Sequence, residues 1–246
     1  MTGSLIIVGI GPGDKHLITP EVTNAINNAT DLVGYSTYVK RVPKRANLTV
    51  HETDNRVEVS RAIHALELAE LGKKVVIVSS GDPGVFAMAS ALLEALENGS
   101  KSWKRLDIQI LPGITAMLAA SAKLGAPLGH DFCAINLSDN LKPWELIEKR
   151  LRLSLEADFV ICIYNPRSVA RPSQFDKVLK ILNDNCQASR LIIFAKAVTT
   201  PKQNIKILNI NEAKSEIVDM STIVIIGSSR TKKIVGTRFV YTPRSN

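Results

Sequence analysis

The chain has 246 residues, 45% hydrophobic, 22% charged and 5% aromatic, with a formal net charge of +8. That length allows one large globular domain or two smaller ones with a sizeable core, and the composition is that of an ordinary soluble fold. No segment approaches the ~20 apolar residues of a membrane span, and few aromatics among scattered Lys and Arg argue against a nucleic-acid surface. A basic chain of this kind suits a polyanionic small molecule, or simply a solvated surface. Met1-Thr2-Gly3-Ser4 leads directly into an apolar segment, without the basic region and cleavage site of a signal peptide. Cys133, Cys162 and Cys186 are odd in number, far apart and free of any C-x-x-C pair. They are expected to be reduced thiols of a cytoplasmic protein rather than zinc or iron–sulfur ligands. His16, His51, His64 and His130 are dispersed without ligand spacing, so no metal is expected.

In chain order, the β-branched apolar run at 5–10 reads as a strand. It ends in Gly9-Ile10-Gly11-Pro12-Gly13-Asp14, a turn whose glycines would let a ligand approach the backbone. This is not the dinucleotide fingerprint, because Pro12 removes an N–H and Asp14 adds an acid where a pyrophosphate needs amides. Thr19-Pro20-Glu21 is a good helix start for 19–29, with Thr as N-cap and Pro at the first helical position. A short strand follows at 31–34. A helix at 55–71 follows from the spacing of Val59, Ile63, Leu66 and Leu68, and stops at Gly72. The apolar run at 74–79 reads as a strand buried on both faces.

After it comes Ser79-Ser80-Gly81-Asp82-Pro83, with Asp82 as N-cap and Pro83 at the first position of a helix over 83–98. A strand at 106–111 and a helix at 114–124 complete a βαβ rhythm that predicts a parallel sheet covered on both faces. Gly125-Ala126-Pro127-Leu128-Gly129 reads as a linker. The second half predicts strands at 132–137, 159–163, 190–195, 203–210 and 221–226, helices at 143–155 and 172–184, and a weak helix at 211–217. Consecutive strands there imply a mixed sheet. The fold class is α/β in two domains, 1–116 and 117–246, with a cleft between them as the expected ligand site.

Four loops follow strands, at 9–14, 79–85, 112–116 and 164–167, and each is rich in small or hydrogen-bonding residues. Their order resembles that of the tetrapyrrole (corrin/porphyrin) methylases, which use S-adenosylmethionine. The matching residues are Gly9-Ile10-Gly11-Pro12-Gly13-Asp14, Gly34-Tyr35-Ser36-Thr37-Tyr38, Ser79-Ser80-Gly81-Asp82-Pro83-Gly84-Val85 and Leu111-Pro112-Gly113-Ile114-Thr115-Ala116. A corrin-methylating branch is indicated by Leu124-Gly125-Ala126-Pro127-Leu128-Gly129-His130-Asp131-Phe132, Asn136-Leu137-Ser138-Asp139, Pro143-Trp144, Tyr164-Asn165-Pro166 and Thr222-Ile223-Val224-Ile225-Ile226-Gly227. One stretch departs from the branch pattern. Where Arg-Asn-Ala-Gly-Arg is usual after the strand, this chain reads Ala195-Lys196-Ala197-Val198-Thr199-Thr200-Pro201, without the glycine and the second arginine.

The resemblance implies a two-domain tetrapyrrole methylase fold with its active site in the interdomain cleft. It places S-adenosylmethionine on Pro12, Gly81, Asp82, Val85, Thr115, Ala116, Asn165 and Ala197. It also implies a homodimer, and a polycarboxylate substrate: precorrin-3B, methylated at C17 with ring contraction, or its cobalt-factor III counterpart. Ring contraction moves electrons out of a tertiary alcohol, so a base near that hydroxyl would help. Asp14, His130 and Asp139 are candidates by sequence context, each with a turn, linker or cap role as the alternative. Methylation at another precorrin position is a further reading, and an NAD(P)-binding reductase or nucleotide-binding module is one from a different class.

Overall fold

A computed structural model describes residues 3–54 and 57–245. Met1 and Thr2 of the expected leaderless start, and Asn55 and Arg56 of the expected 55–71 helix, lie outside the described residues. The chain divides into two compact units between Thr115 and Ala116.

The first unit alternates strand and helix: β1 (Ser4–Gly9), α1 (Pro20–Asn28), β2 (Asp31–Tyr35), α2 (Ser36–Val39), β3 (Thr49–Thr53), α3 (Glu58–Glu70), β4 (Lys74–Ser79), α4 (Met88–Asn98) and β5 (Asp107–Leu111). The strands form one parallel sheet in the order β3-β2-β4-β1-β5. The unbroken apolar run of β4 has the reason expected of it. Val75 and Ile77 join a core with α3 and α4, while Val76 and Val78 join one with Val22 and Ile26 of α1. Helices α3 and α4 pack against each other through Ala62, Ala65 and Ala69 on one and Ala89, Ala91 and Ala95 on the other, side chains short enough for close approach.

Two expectations need correction here. Helix α4 begins at Met88, not at residue 83, because Phe86 takes a left-handed φ of 53° and breaks the turn. Asp82 therefore does not cap it. The strand β3 escaped the sequence reading because Thr49-Val50-His51-Glu52-Thr53 is a half-wet edge strand with no apolar run.

The second unit contains α5 (Ala116–Leu124), β6 (Gly125–Ala126), β7 (Phe132–Asn136), α6 (Trp144–Glu156), β8 (Val160–Tyr164), α7 (Gln174–Asn185), β9 (Leu191–Lys196), β10 (Asn204–Asn209), β11 (Thr222–Ile226), β12 (Lys232–Lys233) and β13 (Val240–Tyr241). Its main sheet has the order β10-β9-β11-β8-β7 and is mixed: β7 and β8 are parallel, the other pairs antiparallel. One face carries a core of Ile161, Ile163, Ile192, Phe194, Val224 and Ile226 under Ile147, Leu151, Phe175 and Leu182 of α6 and α7. Phe175 and Phe194 meet edge to face at 6.0 Å.

The weak helix expected at 211–217 is two short 3₁₀ turns, Ile210–Glu212 and Ser215–Ile217, the first closed by a capping box between Asn209 and Glu212. The expected linker at 125–129 is also different. Gly125–Ala126 is a strand paired with β13, and the Thr242 hydroxyl donates to the Pro127 carbonyl at 2.6 Å. These partners lie more than a hundred residues away in sequence, so local composition could not reveal them.

Candidate functional site

All five strands of the first unit are parallel, so the loops that follow them gather at one edge of the sheet, where ligands bind in open α/β sheets. Three of these loops are stitched together by backbone. Gly11 and Gly81 exchange two hydrogen bonds, of 3.2 and 3.0 Å. A Cβ at Gly9 would lie 2.5 Å from the Gly81 carbonyl oxygen, and one at Gly113 only 2.2 Å from it. These two glycines let the loops approach each other, a reason for glycine that the motif alone did not distinguish from ligand approach.

Asp82 completes the junction. Its Oδ1 accepts from the Gly84 N–H at 2.8 Å and its Oδ2 from the Gly113 N–H at 3.0 Å. The carboxylate expected to cap a helix thus ties the loop after β4 to the loop after β5. Gly81 has φ +63°, a left-handed conformation, and a Cβ there would make ordinary contact with Thr115. Gly81 and the buried Thr115 are therefore neighbours with no side chain between them. Val85 and Pro12 are half-buried on the same loop set. Asp14 is exposed, and its Oδ1 accepts from the His16 N–H at 2.9 Å as N-cap of the 3₁₀ turn Lys15–Leu17. The turn therefore does use this carboxylate.

In the second unit β8 and β9 are both antiparallel to β11, and β7 is parallel to β8, so β7, β8 and β9 end at one edge. That edge holds Asn165, at φ +51°, whose Nδ2 donates to Asn136 Oδ1 at 3.0 Å; the same oxygen accepts from the Ser138 N–H at 2.9 Å. The Tyr164 hydroxyl accepts from the Met117 N–H at 3.2 Å, in the first turn of α5, the helix that Ala116 opens. Asp139 lies at this edge too, accepting from Gln174 Nε2 at 2.9 Å with Arg171 Nε at 4.0 Å. Ala197 follows β9 at the same edge, with φ +47°.

His130 is not brought to this edge. It precedes β7, a strand about 16 Å long, so it sits at the opposite end of the sheet from Asp139, its Nδ1 accepting from the Asp131 N–H at 2.8 Å.

The remaining polar groups explain other sequence features. His51 Nε2 pairs with the buried Asp31 at 2.9 Å, and His64 Nε2 with His51 Nδ1 at 3.0 Å. The Asp31 carboxyl is raised by burial but, with His51 and Thr30 as hydrogen-bond partners, ends below its usual range. Among the described residues no group of three or more His, Cys, Asp or Glu is placed to hold a metal ion. No described helix is long and apolar enough to cross a membrane. Arg41 and Arg61 were missed by the sequence reading, which saw only scattered charge. Arg61 is 3% exposed and donates to Thr53 Oγ1 and to the Asp54 carbonyl. No local pattern marks an arginine that folds inward.

The chain was compared with known proteins. It is 48% identical to a precorrin-3B C(17)-methyltransferase of Sinorhizobium sp, over 99% of this chain and 97% of the relative. It is 39% identical to a probable cobalt-factor III C(17)-methyltransferase of Salmonella typhimurium, over 92% and 93% of the two chains. Among solved structures, that of the methyltransferase CobJ matches with a TM-score of 0.95 and 57% identity, over 98% of this chain and 100% of that one. The family described as Tetrapyrrole (Corrin/Porphyrin) Methylases matches residues 4–214. With the parallel and mixed sheets and the glycine-stitched loops, that match leaves one assignment: the chain belongs to the tetrapyrrole methylases.

Proposed function

We propose that the protein transfers a methyl group from S-adenosylmethionine to C17 of precorrin-3B, with contraction of the macrocycle, in cobalamin biosynthesis. The observation that carries this reading is the end-to-end likeness to a relative of that name. Within each unit, features of the strand-terminal loops support the reading. Gly81 and Thr115 lie side by side without intervening side chains, Asp82 fixes the loop between them, and the Asn165 amide is held by Asn136.

On this reading Pro12, Gly81, Asp82, Val85, Thr115, Ala116, Asn165 and Ala197 hold the methyl donor, chiefly through backbone groups. S-adenosylmethionine supplies a methyl already activated on a sulfonium, so the protein's main work is alignment, which is worth up to ~7–11 kcal/mol. Asp14 and Asp139 are the carboxylates proposed to take the proton of the macrocycle hydroxyl during contraction. Both lie at strand carboxyl ends, Asp14 exposed on its turn and Asp139 oriented by Gln174.

A second reading, supported by the name of the Salmonella relative, is the same reaction on cobalt-factor III. We also propose a cytoplasmic homodimer, which size-exclusion chromatography with light scattering tests.

The central experiment is a thermal melt with S-adenosylhomocysteine or NADPH, followed by turnover of precorrin-3B and cobalt-factor III with labelled S-adenosylmethionine. A ligand that binds only the native state at 100 times its Kd stabilises by about 2.7 kcal/mol. The expected outcome is a raised melting temperature with S-adenosylhomocysteine alone, and a labelled, ring-contracted product by mass spectrometry. A shift with NADPH only would remove the methyltransferase reading.

A further inference from the structure

We propose that Arg41 is a positioning residue for the methyl donor: its guanidinium holds the first glycine loop in the shape that lets it pair with Gly81. The inference rests on the cofactor reading above and assigns a role through the backbone to a residue outside the set proposed there to hold the methyl donor. Arg41 follows α2, the segment that begins in the Gly34-Tyr35-Ser36-Thr37-Tyr38 motif, whose purpose the proposed chemistry leaves open. Its Nη2 donates to the Ile10 carbonyl at 2.6 Å and reaches the Gly13 carbonyl at 3.4 Å; its Nη1 donates to the Gly11 carbonyl at 3.1 Å.

Three carbonyls of one tight turn thus converge on one planar cation. The Gly11 oxygen also accepts the Gly81 N–H at 3.0 Å, so the guanidinium and the loop bridge share an acceptor. Any drift of the first loop is passed to Gly81, and through Asp82 to Gly113.

The electrostatics point the same way. Among the described residues no Asp or Glu forms an ion pair with Arg41. Burial pushes its pKa down, with nearby Tyr38 acting the other way, and its guanidinium hydrogens go to the three carbonyls. A half-buried guanidinium that donates to three backbone carbonyls is a strong restraint on that backbone, since hydrogen bonds from charged donors contribute about twice what neutral ones do. The chemistry calls for arginine. An ammonium is a point donor and cannot span three carbonyls with a fixed fork.

Arg45 supplies the control. It makes the same kind of clamp, Nη2 donating to the Ile26 carbonyl at 3.0 Å and to the Ala29 carbonyl, but at the C-terminal end of α1 and away from the glycine loops.

The test compares wild type, R41M, R41K and R45M by thermal melting and by calorimetric titration of the folded protein with S-adenosylhomocysteine. R41M and R45M are both expected to melt lower than wild type. Only R41M is expected to weaken S-adenosylhomocysteine binding, by about tenfold or more, the equivalent of one lost charged hydrogen bond. R41K is expected to recover part of the affinity. Wild-type affinity in R41M, or an equal loss in R45M, overturns the proposal and leaves Arg41 a structural clamp. Should R41M fail to fold, R41K carries the same decision, and wild-type affinity in that variant overturns the proposal. A wild-type protein that does not bind S-adenosylhomocysteine removes the methyltransferase reading and this inference with it, whereas binding by wild type and R41M alike removes only the inference.

Discussion

At the scale of single residues, the clearest tension lies in the stretch that departs from the branch pattern. Ala197 has φ +47° and Thr199 φ +68°. Left-handed backbone is costly for a β-branched residue and free for glycine. Neither is glycine or asparagine, the residue types that best tolerate this conformation. The loop keeps its shape here because other bonds over-determine it. The Ala197 carbonyl accepts from the Thr200 N–H at 3.1 Å and hydroxyl at 2.8 Å, and Gln203 Oε1 accepts from the Thr199 N–H at 2.8 Å. Thr199→Gly relieves the strain and raises unfolded-chain entropy, with a net gain of about 0.5–1 kcal/mol. Urea unfolding should show a higher midpoint with an unchanged slope; a lower midpoint would mean that the threonine side chain stabilises the loop by more than the strain costs. The departure was legible in the sequence, but its backbone consequence was not, since φ is set by the fold around it.

At the scale of elements, the same loop is tied to the turn that enters β11. Lys196 Nζ lies 2.6 Å from Asp219 Oδ2, and Asp219 Oδ1 accepts from the Ser221 N–H and hydroxyl and from the Thr222 hydroxyl. Burial raises the Asp219 carboxyl, but Lys196 and the Ser221 and Thr222 donors outweigh it and hold the pKa at about 2. A carboxyl depressed on folding contributes stability above its unfolded pKa, about 4, and loses it as pH falls through the folded value. The contribution is present at neutral pH and disappears between about pH 4 and pH 2. The Asp219 side chain is 45% exposed, so solvent screening keeps the effect below about 1 kcal/mol. Melting temperature against pH should fall less steeply in Asp219→Asn than in wild type over that window; parallel curves would show that the ion pair contributes nothing. Element existence was largely readable here, as with β4 and α7. The late start of α4 was not, because the competing role of Asp82 is to bind Gly113, thirty-one residues on.

At the scale of the whole molecule, the net charge of +8 meets a proposed substrate rich in carboxylates. Long-range attraction of this kind acts on encounter and is screened over about 10 Å at 0.1 M salt. The expected result is a kcat/KM for the tetrapyrrole that falls as sodium chloride rises, while S-adenosylhomocysteine affinity changes much less. Equal salt dependence of the two would show that the excess charge does not serve substrate capture.

Not all of that charge is available: Arg41, Arg45 and Arg61 turn inward onto backbone carbonyls. This marks the division between chain and fold. The sequence by itself determined the α/β class, the parallel and mixed halves and the strand-terminal loops, because apolar periodicity, caps and glycine turns are local and written in neighbouring residues. Only the tertiary structure decided that Gly9 and Gly113 make room for backbone, that Gly125–Ala126 is a strand, that His130 and Asp139 lie at opposite ends of a sheet, and that Arg41 holds the first loop. Those depend on which distant segments meet, and no local pattern encodes the partner.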